Sequence, residues 1–210
     1  MVSGDHIEEE SMTAVLLPVD PRLLERDDLT VDDLVDLPED LRYELIEGRL
    51  VLTPHAVTIH NFIGRKAADA IEEFSPHGFS VDQEQAVLRN RRNELCPDVM
   101  ILRDESATRS PVRPADVLLV VEVVSKSSKA IDRREKLEWY AEMRIPSYWI
   151  IDPLPERVTL TEFRLGPAGY RQQLQTTDLI TLDEPWKVTL DLPAWTRKRD
   201  YYRDVARADV

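Results

Sequence analysis

Two carboxylates and a lysine stand out by type and by setting. Asp98 opens an apolar stretch directly after Pro97. Glu122 interrupts a longer one, with Val117-Leu118-Leu119-Val120-Val121 before it and Val123-Val124 after it. An ionised carboxylate buried alone is expensive, so Glu122 calls for a cation, a proton or a polar partner. Both stretches read as β-strands, and neighbouring strands lie about 4.8 Å apart, so two carboxylates on one face can share a divalent cation. A small set of oxygen ligands suits Mg²⁺ or Mn²⁺, with water and a substrate phosphate in the other positions. The backbone carbonyl of Val123 can add a ligand. Lys136, in the helix pattern that follows, can reach a metal-bound phosphate or the attacking water. The chemistry such a set would support is metal-assisted hydrolysis of a phosphate ester.

Each residue also has a purely structural use. An Asp at a strand start can be solvated or accept hydrogen bonds in a turn. A Glu in an apolar strand can pair with a core Arg or Lys, and a helix Lys commonly lies on a solvated face. Only the combination points to a site.

The elements that must position these residues follow from the hydropathy pattern. From Val117 to Asp152 the chain reads strand, helix (Asp132 to Met143), strand (Tyr148-Trp149-Ile150-Ile151), a crossover on one sheet. Tyr140 lies four residues after Lys136 and shares its face; Asp132 stands at the helix start as a cap. Upstream, Thr30-Val31-Asp32-Asp33 predicts a short helix with Thr30 as N-cap. Tyr43 to Leu52 predicts a hairpin turning at Glu47-Gly48. Ile59, Phe62, Ile63, Ala67, Ala70, Ile71 and Phe74 repeat at helical spacing. Phe79–Leu88 and Glu94–Leu102 read as two partner strands around the basic turn Arg89-Asn90-Arg91-Arg92-Asn93. After the crossover come a hairpin around Gly166 to Gly169, short strands near 179–182 and 188–190, and a mixed, slightly basic end. This is an α/β chain with a mixed sheet and extra hairpins toward both termini.

The 210 residues suffice for one domain with a real core. The net charge is −13, but residues 1–40 carry −11 of it and the remainder only −2. We therefore expect a mobile acidic arm over residues 1–28, with ordered contacts around Val15-Leu16-Leu17, and one domain over 29–210. A near-neutral body does not exclude a nucleic-acid partner. Arg89, Arg91 and Arg92 read either as a solvated turn or as a phosphate-contacting finger. No apolar run approaches the roughly 20 residues that span a bilayer. The single cysteine, Cys96, fits a reducing cytoplasm.

Pro97-Asp98, Glu122-Val123-Val124-Ser125, Asp132-Arg133-Arg134-Glu135-Lys136 with Tyr140, and Pro146-Ser147-Tyr148-Trp149-Ile150-Ile151-Asp152 together resemble the Uma-two family of restriction endonuclease-like proteins. Arg42-Tyr43-Glu44-Leu45-Ile46-Glu47-Gly48 and His60-Asn61 extend the match. The resemblance implies the PD-(D/E)XK fold, a mixed sheet flanked by helices, and a Mg²⁺-dependent endonuclease acting on DNA. It implies Asp98 and Glu122 as metal ligands, Lys136 in place of the lysine that usually follows the Glu by two residues (here Val124), and Glu44 and His60 as further site residues. Lys126 is a lesser substitute for Lys136. Another class of function is a binding or assembly protein that keeps the fold without catalysis; RNA or a smaller phosphate ester would use the same ligands. Cutting two strands favours a homodimer on symmetry grounds.

Overall fold

The structure is a computed structural model that describes residues 19–38, 41–53, 55–125 and 129–208, with the side chains of 129–134 left aside. The elements run α1 (Pro21–Glu25), β1 (Tyr43–Ile46), β2 (Arg49–Leu52), α2 (Thr58–Glu72), β3 (Phe79–Asp82), β4 (Val87–Asn90), β5 (Asn93–Leu95) and β6 (Val99–Arg103). They continue with β7 (Val117–Val123), α3 (Lys129–Glu142), β8 (Ser147–Asp152), β9 (Thr159–Gly166), β10 (Gly169–Thr176), β11 (Leu179–Leu182), β12 (Val188–Asp191) and α4 (Leu192–Ala208).

The Val117–Asp152 crossover forms the middle of a six-stranded sheet. β7 and β8 pair in parallel, with Val121 opposite Trp149, and every other pair in the order β10-β9-β8-β7-β6-β3 is antiparallel. The near-continuous apolar sequences of β7 and β8 follow from burial on both faces. On one face Val99, Ile101, Leu119, Val121, Val123, Trp149 and Ile151 pack with Phe62, Ile63, Ala67 and Ile71 of α2 and with Trp195 of α4. On the other, Met100, Val120, Tyr148 and Ile150 pack with Tyr140 of α3 and with Met143 just after it. This is the expected mixed sheet flanked by helices. Among the described residues no helix is long and apolar enough to cross a membrane.

The two long strands expected around the basic turn are each broken in two. Glu84 takes a positive φ of 57°, and Pro97 lacks the N–H that a central strand must donate. β4 and β5 therefore join β1 and β2 in a separate four-stranded sheet ordered β2-β1-β5-β4, while β3 and β6 join the six-stranded one. Asp98 lies at the corner where the chain passes from β5 to β6.

The β1–β2 hairpin turns at Glu47 and Gly48, both with positive φ (51° and 81°), as its short loop requires. The expected helix after Thr30 is a single 3-10 turn, Val31–Leu34. The Thr30 hydroxyl donates to the Asp33 carboxylate, which also receives the Thr30 N–H, as in a capping box. Of the expected arm, residues 1–18, with Val15–Leu17, lie outside the described residues. From Val19 onward the chain packs: α1 follows, and Val19, Leu29, Leu34, Leu45 and Leu50 form a third small core. The end of the chain, read as mixed, is the 17-residue helix α4. Its inward positions Leu192 and Trp195 continue to Arg199, so a charge interrupts the apolar repeat.

Glu94 of β5 is buried beside Leu45 and Tyr43. Burial raises its carboxyl above the ordinary value, only partly offset by the Tyr43 hydroxyl. A raised folded-state pKa means that the contribution of Glu94 to stability is full below the unfolded value, about 4.3, and is lost as pH rises through the folded one. Glu94→Gln is therefore expected to melt above the wild type at pH 7, with the difference vanishing near about pH 4. A difference constant over that range in thermal scans would assign the gain to another cause.

Candidate active site

Strand alternation makes Glu122 a problem for the fold and the site its answer. In β7, Val121 and Val123 turn toward α2, so Glu122 turns toward α3. There Lys136 and Tyr140, one helical turn apart, both meet it. Lys136 Nζ donates to Glu122 Oε1 at 2.9 Å and Tyr140 Oη to the same oxygen at 2.7 Å. Glu122 and Lys136 are 3% and 6% exposed, and Tyr140 is fully buried. Burial, then the Glu122 charge, pushes the Tyr140 hydroxyl well above its ordinary pKa, so it stays a donor. Lys136 Nζ also lies 3.2 Å from Glu44 Oε1, on β1, and that oxygen accepts the Cys96 N–H at 3.1 Å. One ammonium thus holds carboxylates from two sheets.

Asp98 approaches from the corner before β6. The β6–β7 register, with Val99 opposite Val121, continues by one residue to set Asp98 across from Glu122. Asp98 Oδ2 accepts the Val123 N–H at 2.6 Å. His60, in the first turn of α2, lies with Nε2 2.9 Å from the Val123 carbonyl and 3.3 Å from Asp98 Oδ2. A carbonyl only accepts, so Nε2 carries the proton. Burial opposes the imidazolium form, but the hydrogen bond and charge of Asp98, the Val123 carbonyl and the Glu122 charge together raise the His60 pKa. The apolar stripe Phe62, Ile63, Ala67 and Ile71 fixes α2 on the sheet and so aims His60.

These groups line one cleft of about 660 Å³. Asp98, Glu122, Val123, Lys136, Glu44 and His60 are all on its wall, drawn from β1, α2, the β5–β6 corner, β7 and α3. The donor set is hard: carboxylate oxygens and a backbone carbonyl. Among the described residues no three His, Cys, Asp or Glu side chains converge as a ready-made cage. That suits a cation carried by one or two carboxylates with water and phosphate completing the shell better than a closed structural site. Asp98 Oδ1 bonds no other described group, which leaves it available.

The structure does not bring the three hairpin arginines to this cleft. Arg89 pairs with Glu142 at 2.5 Å and stacks on Trp139, and Arg91 pairs with Asp32. Arg92 donates to the carbonyls of Asp27 and Glu47, at 2.7 and 2.8 Å, and packs on Gly48 where any Cβ would collide with it. These partners tie the turn to the N-terminal segment and to α3. Lys126 and the Asp132 side chain lie outside the described residues. Sequence reasoning put Tyr140 on the face of Lys136 but gave it no role. It missed the Cys96 N–H, and it missed Arg42 and Arg203, which also line the cleft; no local pattern marks them. The Cys96 thiol, pushed up to about 12 by burial and then by Glu44, is no nucleophile at neutral pH.

Removing the shared cation leaves a buried carboxylate, Glu122, and a half-buried one, Glu44, without their common partner. Lys136→Met is expected to cost about 3 kcal/mol in a denaturant titration, and adding Glu122→Gln to it should recover part of that loss. Additive losses in the double variant would show that the pair is not coupled.

Comparison with known proteins gives the fold and the family. A crystal structure described as a "putative nuclease belonging to DUF820", from Anabaena variabilis, superposes with a TM-score of 0.61 at 15% identity, covering 80% of this chain and 99% of that one. At that identity the likeness is one of fold. No curated protein matches the chain. The family model Uma2, described as "Putative restriction endonuclease", matches residues 31–200, a span that holds every residue of the cleft except Arg203, and the chain belongs to that family.

Proposed function

We propose that the cleft hydrolyses phosphodiester bonds of DNA with a divalent cation, Mg²⁺ or Mn²⁺, held by Asp98, Glu122 and the Val123 carbonyl. The observation that carries this reading is the convergence of Asp98, Glu122 and Lys136, from a sheet corner, a strand and a helix, on one cleft in a chain of a nuclease family. A cation bound there would polarise the phosphate and lower the pKa of its water. Lys136 is buried and held beside the carboxylates by Glu44 and Glu122, where it can donate to a phosphate oxygen as charge develops. Tyr140 and Lys136 fix one oxygen of Glu122. The Val123 N–H fixes Oδ2 of Asp98, and His60 bridges Asp98 to the Val123 carbonyl. Ligands locked by their own hydrogen bonds require little rearrangement to receive a cation.

A second reading draws on the same bonds. Lys136 and His60 already compensate the carboxylates, so the fold does not depend on a cation, as expected for a binding or assembly protein that keeps the architecture. The two readings separate in one experiment. Supercoiled and single-stranded DNA are incubated at low salt with Mg²⁺ or Mn²⁺, wild type beside Asp98→Asn and Glu122→Gln, with cation binding followed by calorimetry. Low salt favours phosphate binding by a weakly charged body. Cleavage by the wild type, lost on chelation and reduced at least about 100-fold in both folded variants, is the expected outcome. Cation binding without cleavage of either DNA points to another phosphate ester; neither binding nor cleavage supports the assembly reading.

A further inference from the structure

Among the described residues, three Arg or Lys side chains line the cleft: Arg42, Lys136 and Arg203. Two are committed to carboxylates. Lys136 holds Glu44 and Glu122, and Arg42 pairs with Glu84. Arg203, on α4, differs. Among the described residues its shortest carboxylate approach is 3.9 Å, to Asp200, beyond hydrogen-bond range, while Arg199 holds the same Asp200 oxygen at 2.8 and 2.9 Å. One N–H of Arg203 donates to the Pro153 carbonyl at 2.9 Å, which fixes the guanidinium against the cleft wall and leaves its other donors unused among the described residues.

The neighbouring Arg199 explains why that geometry is rigid. It is 1% exposed, and beyond Asp200 it donates to the carbonyls of Pro153 and Pro155, at 2.9 and 2.7 Å, and of Glu156 at 2.5 Å. The loop leaving β8, whose Pro153 and Leu154 line the cleft, is thereby clamped to α4. Arg203 rides on the same clamp. Its side chain is 32% exposed, and burial together with the Arg199 charge works against its cationic form. A half-buried guanidinium with unused donors, next to a second cation and on the wall of a cleft, gains from an anion. A planar fork of N–H groups matches a phosphate.

We infer that Arg203 is a second phosphate-binding residue of the cleft, contacting a backbone phosphate of the nucleic-acid strand from the α4 wall while Asp98, Glu122 and Lys136 address the one to be cleaved. This rests on the nuclease reading above and assigns a binding role to a helix lying largely past the sequence pattern that suggested it.

The test is binding of a fluorescein-labelled DNA duplex with single-stranded tails, in Ca²⁺, by anisotropy over a range of salt. Wild type is compared with Arg203→Gln, Arg203→Lys and Arg207→Gln. Arg207 is an exposed arginine of the same helix, away from the cleft. Loss of one phosphate contact lowers the slope of log affinity against log salt by about 0.7–0.9. Arg203→Gln is expected to show that drop and about tenfold weaker binding at low salt, Arg203→Lys to recover part of both, and Arg207→Gln to match wild type. Unchanged binding by Arg203→Gln, with wild-type binding and cleavage intact, overturns this inference and leaves the nuclease reading standing. Weaker binding at an unchanged slope also overturns it, in favour of a merely structural role for the Pro153 bond. No binding and no cleavage by the wild type overturns both.

Discussion

The interaction on which the rest depends is the contact of Lys136 with Glu122. A carboxylate in the central strand of a sheet buried on both faces must be compensated, and the compensation comes from a helix crossing over that strand. Satisfying Glu122 therefore sets the position of α3 on β7. Because the same ammonium reaches Glu44, it also ties the small sheet to the large one. Replacing such a triad by apolar residues of similar volume is often neutral or stabilising in other proteins, so stability alone gives weak reason for it here. The proposed site supplies a second reason for a cluster of this kind at the wall of a cleft.

The second constraint is topological. The hairpin from Phe79 to Arg103 is divided between two sheets, and its corner carries Asp98. A continuous strand through residue 98 would carry ladder bonds straight past the cleft. The corner instead frees the Asp98 carboxylate to take the Val123 N–H at the end of β7, next to Glu122. Pro97 makes this inexpensive, since it has no N–H to leave unsatisfied. The cleft is thus built where two sheets part, with α2 closing one side through His60 and α4 another through Arg199 and the loop it holds.

The arginines divide along similar lines. Those of the hairpin tip are spent on structure: Arg92 fills the space that Gly48 leaves open and caps carbonyls of two segments, and Arg89 lies against Trp139 and Glu142. Arg199 is spent entirely on backbone carbonyls and Asp200. A basic cluster in sequence is therefore a poor guide to a basic surface. What matters is how many of the donors remain after neighbouring carbonyls and carboxylates have taken theirs, and that depends on the packing.

The sequence by itself determined the crossover from Val117 to Asp152, the helix over Thr58–Glu72 and the hairpins, because each rests on short-range periodicity and turn chemistry. It also marked Asp98, Glu122 and Lys136, because a carboxylate in an apolar strand is anomalous wherever it occurs. Tertiary structure alone decided that Glu44 joins them through Lys136, that Tyr140 is a ligand of Glu122 rather than plain core, and that one hairpin serves two sheets. It alone decided that residues 192–208 form a helix, since α4 buries an arginine where the pattern calls for an apolar side chain, and the carbonyls of Pro153, Pro155 and Glu156 with the Asp200 carboxylate make that burial tolerable. The reason is common to all of these: partners distant in sequence supply the hydrogen bonds that make a buried polar group affordable, and no local pattern records which distant group arrives.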